Sequence, residues 1–276
     1  MAEAAPRRAV QRYRELARSS AKDGVEREIL LDGIHLLSAA YASGIPIESA
    51  AFDHHLLDAR PVRAFAEQLK SAGTEVLIVS TKVIESMSPV RTPSGAVGIA
   101  RRSLVPLEAA VGGTSALVVV AHDVQDPGNV GGIIRTAEAA GASAFIGSTG
   151  TADPLGWRAL RGSMGSALRF PIARADLNEA LRACRKAGLT ALALVPRGGD
   201  PFFAADFRKP TALLLGSEGP GLPREIAQHA DQQVSIPMQA PVESLNVGVA
   251  AALVLYEAYR QRLTMSKVQS PRSKVK

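Results

Sequence analysis

Val234–Tyr259 reads VSIPMQAPVESLNVGVAAALVLYEAY. Val234–Ile236 is a short β-branched strand, Pro237, Met238 and Pro241 punctuate a loop, and Leu245–Ala258 follows as a segment apolar on nearly every side. A helix apolar all round is buried all round, so the pattern predicts that something wraps it. Glu243, Ser244 and Asn246 fall around the expected helix start, where side-chain oxygens and free N–H groups concentrate. A buried scaffold with convergent polar groups at its end is what a binding site needs.

Upstream of this stretch, strands and helices alternate: strand Ala116–Val120, helix Val130–Ala140, strand Ala144–Ile146, helix Asp176–Ala187, and strands Thr190–Val195 and Thr211–Leu215. That order predicts an α/β fold with a parallel, helix-covered sheet. Before it, Glu28–Ala100 is a smaller α/β pattern, with strands at Ile29–Leu31, Ile47–Phe52, Val76–Val79 and Gly95–Ala100 and helices at Ile34–Ser43 and Arg60–Ala72. The expected division is a basic N-terminal helix over 1–20, a small domain over 21–102, a linker over 103–113, a larger domain over 114–263 and a disordered basic tail over 264–276.

Composition narrows the function. At 276 residues, 46% hydrophobic and 21% charged, the chain is long enough for two globular cores. Its one cysteine, Cys184, excludes a disulfide framework and a cysteine-based zinc cluster, and suits a reducing cytoplasm. The five histidines have no metal-ligand spacing, no Walker, GxSxG or HExxH pattern occurs, and no apolar run reaches the ~18 residues of a membrane span, so neither a metal nor a membrane is expected. The net charge of +6 is uneven: residues 1–18 carry five Arg against two Glu, and residues 260–276 carry six Lys or Arg and no acid. Basic ends on a mildly acidic body are an electrostatic footprint of nucleic-acid binding, though solubilising termini have the same composition.

Three loops carry the polar chemistry, each after a strand, at the carboxyl ends where open α/β sheets bind ligands. In DVQDPGNVGGIIRTAEAAGA (Asp123–Ala142), Asn129 is placed at or near a helix N-cap, with Gly131 and Gly132 open to close backbone approach. Arg135 is placed on the first or second turn, near Asn129, where a cation opposes the helix dipole; it is either an ordinary surface arginine or there for another reason, such as an anion or a developing oxyanion. GNVGG is not GxGxxG, so a dinucleotide site is disfavoured. In LLLGSEGPGLP (Leu213–Pro223), Gly216, Gly219 and Gly221 leave backbone groups open around Glu218. In the third loop Ser244 and Asn246, taken alone, are slightly better read as plain helix caps than as site residues. A fourth segment, WRALRGSMGSALRFPI (Trp157–Ile172), holds Arg158, Arg161 and Arg169 and no acid, and reads as a solvated basic face or an RNA-phosphate surface.

In this order and at these distances, DPGNVGGIIRTAEAAGA, LLLGSEGPGLP and SIPMQAPVESLNVGVAAALVLYEA resemble the three signature motifs of the SpoU (TrmH-type) family of RNA ribose 2′-O-methyltransferases. RGSMGSALRFPI resembles that family's middle segment, and ILLDGIHLLSAAYASGIPIESAAF with MSPVRTPSGAVGIARR resembles the RNA substrate-binding domain of members acting on large-subunit ribosomal RNA. The resemblance implies a SPOUT-type parallel sheet with a C-terminal trefoil knot, and a homodimer whose sites are completed across the interface. It implies S-adenosylmethionine held near Val195, Gly216, Ile236, Met238 and Leu245. Arg135, Asn129, Glu218, Ser244 and Asn246 become the catalytic candidates, with Arg135 as phosphate and oxyanion clamp or, second, as general base. Arg158, Arg161 and Arg169 become candidate RNA contacts. Gly248 stands where relatives often carry Ser. Methyl transfer to ribosomal RNA is the expectation; transfer RNA as substrate, and a non-catalytic RNA-binding or ribosome-assembly factor of the same fold, remain the alternatives.

Overall fold

The computed structural model describes residues 7–18, 26–113 and 116–269, and its chain separates into two compact units. Residues 19–25 at the expected domain boundary, and the tail beyond 269, lie outside the described residues.

The first unit begins with helix α1 (Arg7–Arg18), followed by β1 (Glu26–Asp32), α2 (Ile34–Ala42), β2 (Ile47–Asp53), α3 (Arg60–Ser71), β3 (Glu75–Val79), α4 (Thr81–Met87) and β4 (Ala96–Ser103). The sheet order is β1-β4-β2-β3, antiparallel except for the β2–β3 pair. Alternation along β4 loads both faces. Val97 and Ile99 join Tyr13, Leu30, Ile84 and Met87 in a core beneath α1 and α4. Gly98 faces the other way, where a Cβ would come within 2.4 Å of Leu37 on α2.

The second unit holds α5 (Leu107–Ala110), β5 (Leu117–Ala121), α6 (Pro127–Ala139) and β6 (Ala144–Gly147). After the short helices α7 (Trp157–Ser163) and α8 (Ser166–Arg169) come β7 (Ile172–Arg174), α9 (Leu177–Lys186), β8 (Thr190–Leu194), the two-residue β9 (Asp200–Pro201), β10 (Thr211–Leu215), α10 (Arg224–His229), β11 (Gln232–Ser235) and α11 (Val247–Gln269). Seven strands run parallel in the order β7-β6-β5-β10-β8-β11-β9. LVVVA and TALLL, the two central strands, are buried at every position, as strands covered on both faces must be. Val118, Val120, Ala212 and Leu214 pack with Leu177, Leu181 and Cys184 of α9. Burial pushes the Cys184 thiol up to about 11, so it is a core side chain.

Four expectations change. Asp153–Arg169, expected inside the larger domain, packs with the first unit: α7 lies against β1 and α8 against α2. The expected linker is partly core, because Ala110 and Val111 are buried in the second unit, and the Val105 N–H bonds the Ile172 carbonyl at 2.8 Å. The helix continues beyond Leu263 to Gln269, so the tail does not begin at 264. Finally, among the described residues α11 is enclosed on one face only. Val247, Ala251, Val254, Leu255 and Ala258 are buried, but Val249, Leu253 and Tyr256 on the opposite face are 42–51% exposed.

Residues 105–276 expressed alone strip α7 and α8 of their contacts with β1 and α2. Limited trypsin digestion of that fragment is expected to cut at Arg158, Arg161 or Arg169 at least tenfold faster than in the whole chain; equal protection would show that this segment folds without the first unit.

Candidate active site

The strand order sets the site. The β10–β5 register ends at Leu215 opposite Ala121, and the β11–β8 register at Val234 opposite Leu194. The chains leaving the four adjacent strands β5, β10, β8 and β11 therefore start abreast. The His122 N–H bonds the Leu215 carbonyl at 2.8 Å, and the Val195 N–H bonds the Val234 carbonyl at 2.9 Å. Loops far apart in sequence become neighbours at the carboxyl edge of the sheet.

Between them lies a cavity of about 400 Å3, within the size range of small-ligand sites. All five residues expected around a cofactor, Val195, Gly216, Ile236, Met238 and Leu245, line it, together with Glu218, Ser244 and Asn246. Gly216 is required by packing. The loop after β10 folds back so tightly, with Ser217 and Gly221 exchanging backbone hydrogen bonds at 3.1 and 3.2 Å, that a Cβ on Gly216 would lie 2.2 Å from the backbone of Gly221 and Leu222. An exposed ion pair, Arg197–Glu243 at 2.9 Å, links two rims of the site and adds little stability at that exposure.

Beside the cavity, three side chains form a directional chain. The Asn129 amide donates from Nδ2 to Glu218 and accepts at Oδ1 from Asn246 Nδ2 at 3.2 Å. Asn246 Oδ1 in turn accepts the N–H groups of Gly248 at 2.9 Å and Val249 at 3.3 Å, which caps α11. Both amides are thereby oriented, since each donates from its nitrogen and accepts at its oxygen. Asn246 is at once a helix cap and a site residue. A Cβ on Gly248 would sit 3.2 Å from Asn246 Oδ1 and 3.6 Å from Asn129 Oδ1, so this glycine keeps the amide pair uncrowded.

The first motif is rearranged relative to expectation. Asp126, not Asn129, caps α6: its carboxylate accepts the Asn129 N–H at 2.8 Å, with Pro127 opening the helix. Asp followed by Pro ahead of an apolar run is a sequence signal for that cap, and it was missed in favour of Asn129. Gly132 has nothing within 4 Å of a notional Cβ, so no backbone approaches it. With the helix starting at Pro127, Arg135 falls on the third turn. It lies about 9 Å along the axis from Asn129 and roughly 120° around it. There the dipole no longer acts on it, and the electrostatic reason given for an anion lapses. Arg135 is exposed, does not line the cavity, and makes no hydrogen bond or ion pair among the described residues.

The arginines expected to face RNA phosphates are engaged within the first unit. Arg158 lies over the Trp157 ring, 4.7 Å from its centroid, Arg161 is 3.5 Å from Asp32, and Arg169 Nη1 donates to the Gly165 carbonyl at 3.2 Å. The Ser163 hydroxyl donates to the Leu160 carbonyl at 2.9 Å. Among the described residues, one histidine cluster does form: Asp53, His54 and His55 bring potential ligand atoms within 4.8 Å of one another. His54 Nδ1 lies 3.2 Å from Asp53 Oδ1 and 3.4 Å from the Val79 carbonyl, and Asp53 Oδ1 also accepts the His55 backbone N–H at 3.0 Å.

Comparison with known proteins places this geometry. The sequence model of the SpoU rRNA Methylase family matches residues 116–256. A Synechocystis protein described as an uncharacterized tRNA/rRNA methyltransferase is 33% identical over 87% of this chain and 86% of its own length. The 23S rRNA (guanosine-2′-O-)-methyltransferase of Xanthomonas campestris is 35% identical over 71% of this chain and 82% of its own. The crystal structure of an AdoMet-bound rRNA methyltransferase from Sinorhizobium meliloti superposes with a TM-score of 0.82 at 32% identity, covering 93% of this chain and 96% of that one. A match over half the chain, and relatives sharing a third of their residues across most of both lengths, make this protein a member of the SpoU rRNA Methylase family.

Proposed function

We propose that this protein transfers a methyl group from S-adenosylmethionine to a ribose 2′-hydroxyl of RNA, with large-subunit ribosomal RNA as substrate. The observation that carries this reading is the cavity bounded by three strand-end loops, with the Asn129–Glu218–Asn246 chain at its side, in a member of this family. The substrate follows from the Xanthomonas relative, named for 23S ribosomal RNA.

The residues fit the methyl donor. Val195, Ile236, Met238 and Leu245 offer apolar surface to a flat base, and the loop at Gly216 offers backbone polar groups. Bound there, S-adenosylmethionine supplies a methyl group already activated on a sulfonium. The protein's own task is to aim the ribose hydroxyl and stabilise charge as its proton departs. Ser244 and Asn246, at the cavity wall, are suited to hydrogen-bond the ribose, and Glu218 is steered by Asn129. A guanidinium, with a pKa above about 12, is a poor base. Arg135 is therefore assigned to the RNA phosphate and the developing negative oxygen.

Its exposed position on α6, outside the cavity lining, supports a reading in which Arg135 serves the site of a second subunit. A homodimer is supported by α11, whose outer face presents Val249, Leu253 and Tyr256 at helical spacing beside α6, leaving apolar surface for a partner copy to cover. The strand order β5-β10-β8-β11, in which the chain leaves β8, inserts β10 and returns past β8, supports the family's trefoil knot in this unit. The first unit is assigned to substrate binding. The reaction belongs in the cytoplasm, consistent with an unpaired Cys184 and with no helix among the described residues long and apolar enough to cross a membrane.

Three outcomes test this reading. Incubation with labelled S-adenosylmethionine and undermethylated ribosomal RNA is expected to place label on ribose; Arg135→Ala lowers the rate at least about 100-fold, with S-adenosylhomocysteine affinity by calorimetry unchanged. RNA binding without any methyl transfer by the unmodified protein would instead support an assembly factor. Gly216→Ala, which has no room for its methyl group, should weaken S-adenosylhomocysteine binding more than tenfold. Leu253→Asp should convert a dimer to a monomer in light scattering and abolish transfer; a monomeric wild type, or an active monomeric variant, would remove the shared site.

A further inference from the structure

Helix α1 is fixed by its inner face. Tyr13 is 1% exposed, with its hydroxyl 3.0 Å from Ser49 Oγ, and Trp157 Nε1 donates to the Ala17 carbonyl at 3.2 Å. Arg12 bridges Glu28 and Glu48. Its outer face is therefore presented in one orientation.

On that face Arg7, Gln11, Arg14 and Arg18 recur at i, i+4, i+7 and i+11, one straight strip of a helix. With Val83 and Ser86 of α4 they wall a groove of about 560 Å3. Arg14 Nε donates to the Ser86 carbonyl at 2.9 Å, holding the guanidinium across the groove by one edge and leaving its terminal nitrogens for another acceptor. Arg7 and Arg18 make no hydrogen bond or ion pair among the described residues. Among the described residues Glu15 is the one acid lining the groove, and its carboxylate accepts the Gln11 amide at 2.9 Å.

Helix stability does not account for this strip. The first turn of α1 has no acid and carries Arg7 and Arg8, cations at the end where the dipole disfavours them. An external anion would relieve that opposition. Arg158, Arg161 and Arg169 are exposed as well, but each has a partner within the first unit, whereas Arg7 and Arg18 have none among the described residues. Along it Arg7 and Arg14 stand about 10.5 Å apart and Arg14 and Arg18 about 6 Å, a spacing that meets successive charges on a polymer rather than one small ion.

We propose that the Arg7–Arg14–Arg18 strip of α1 is a phosphate rail for the substrate RNA, separate from the methyl-transfer cavity. The proposal rests on RNA being the substrate. The rail binds backbone, so it contributes affinity and register, not sequence choice. Guanidinium groups suit it because they bind phosphate oxygens in pairs.

The test is the salt dependence of binding to a labelled transcript of large-subunit ribosomal RNA, for full-length protein. Three lost phosphate contacts, at about 0.7 each for a single strand, should make the slope of log K against log salt shallower by about 2 in the Arg7→Ala/Arg14→Ala/Arg18→Ala variant. S-adenosylhomocysteine affinity should not change. The corresponding triple Lys variant keeps the charges and should keep the slope, which separates charge from any loss of helix packing. An unchanged slope in the Ala variant, with wild-type methyl transfer intact, overturns the rail and leaves the proposed reaction standing. Loss of slope in the Lys variant overturns it as well. Failure of the wild type to bind the transcript removes both readings.

Discussion

The insertion of β10 between β5 and β8 is the constraint on which the catalytic unit depends. Parallel strands must be linked by long crossovers, so neighbours in the sheet need not be neighbours in the chain. Here the order places Ala121, Leu194, Leu215 and Val234 at one edge, abreast and hydrogen-bonded. Everything that makes the cavity follows: Val195, Gly216 and Ile236 are the first residues past three of those strands, and the loops they begin have nowhere to go but into one another. The Gly216 loop is packed against its own return so closely that a single methyl group cannot enter.

The polar side of the site is held by helix starts. The α6 cap on Asp126 holds the Asn129 N–H, and the α11 cap on Asn246 holds the amides of Gly248 and Val249; the two helices are then joined through Asn129 and Asn246. Glu218, from a third element, closes the chain. Capping and site-building are usually described as separate roles. In this protein one amide does both, so the rigidity of a 23-residue helix is passed to the cavity wall.

Arg135 and the outer face of α11 share a property among the described residues: Arg135 makes no hydrogen bond or ion pair there, and Val249, Leu253 and Tyr256 leave apolar area exposed. A second copy answers both needs at once, which is why the homodimer and the role of Arg135 stand together in the proposal.

Much of this was legible in the residues. LVVVA and TALLL read as buried parallel strands, the caps and glycines marked the loops, and three motifs in order identified the family before any contact was known. The apolar run after Asn246 was correctly a helix, yet periodicity could not tell burial by the same chain from exposure awaiting another, because composition records what a surface avoids and not what covers it. Arg135 was misplaced by one turn because the helix begins at Pro127, and Asp153–Arg169 changed units because helical pattern does not say which sheet a helix packs on. The sequence alone determined the elements, the family and the chemical inventory of the site, since these depend on local spacing and residue type. Tertiary structure decided the adjacency of the loops, the dual role of Asn246 and the internal engagement of Arg158, Arg161 and Arg169, since each depends on contacts between residues far apart in the chain.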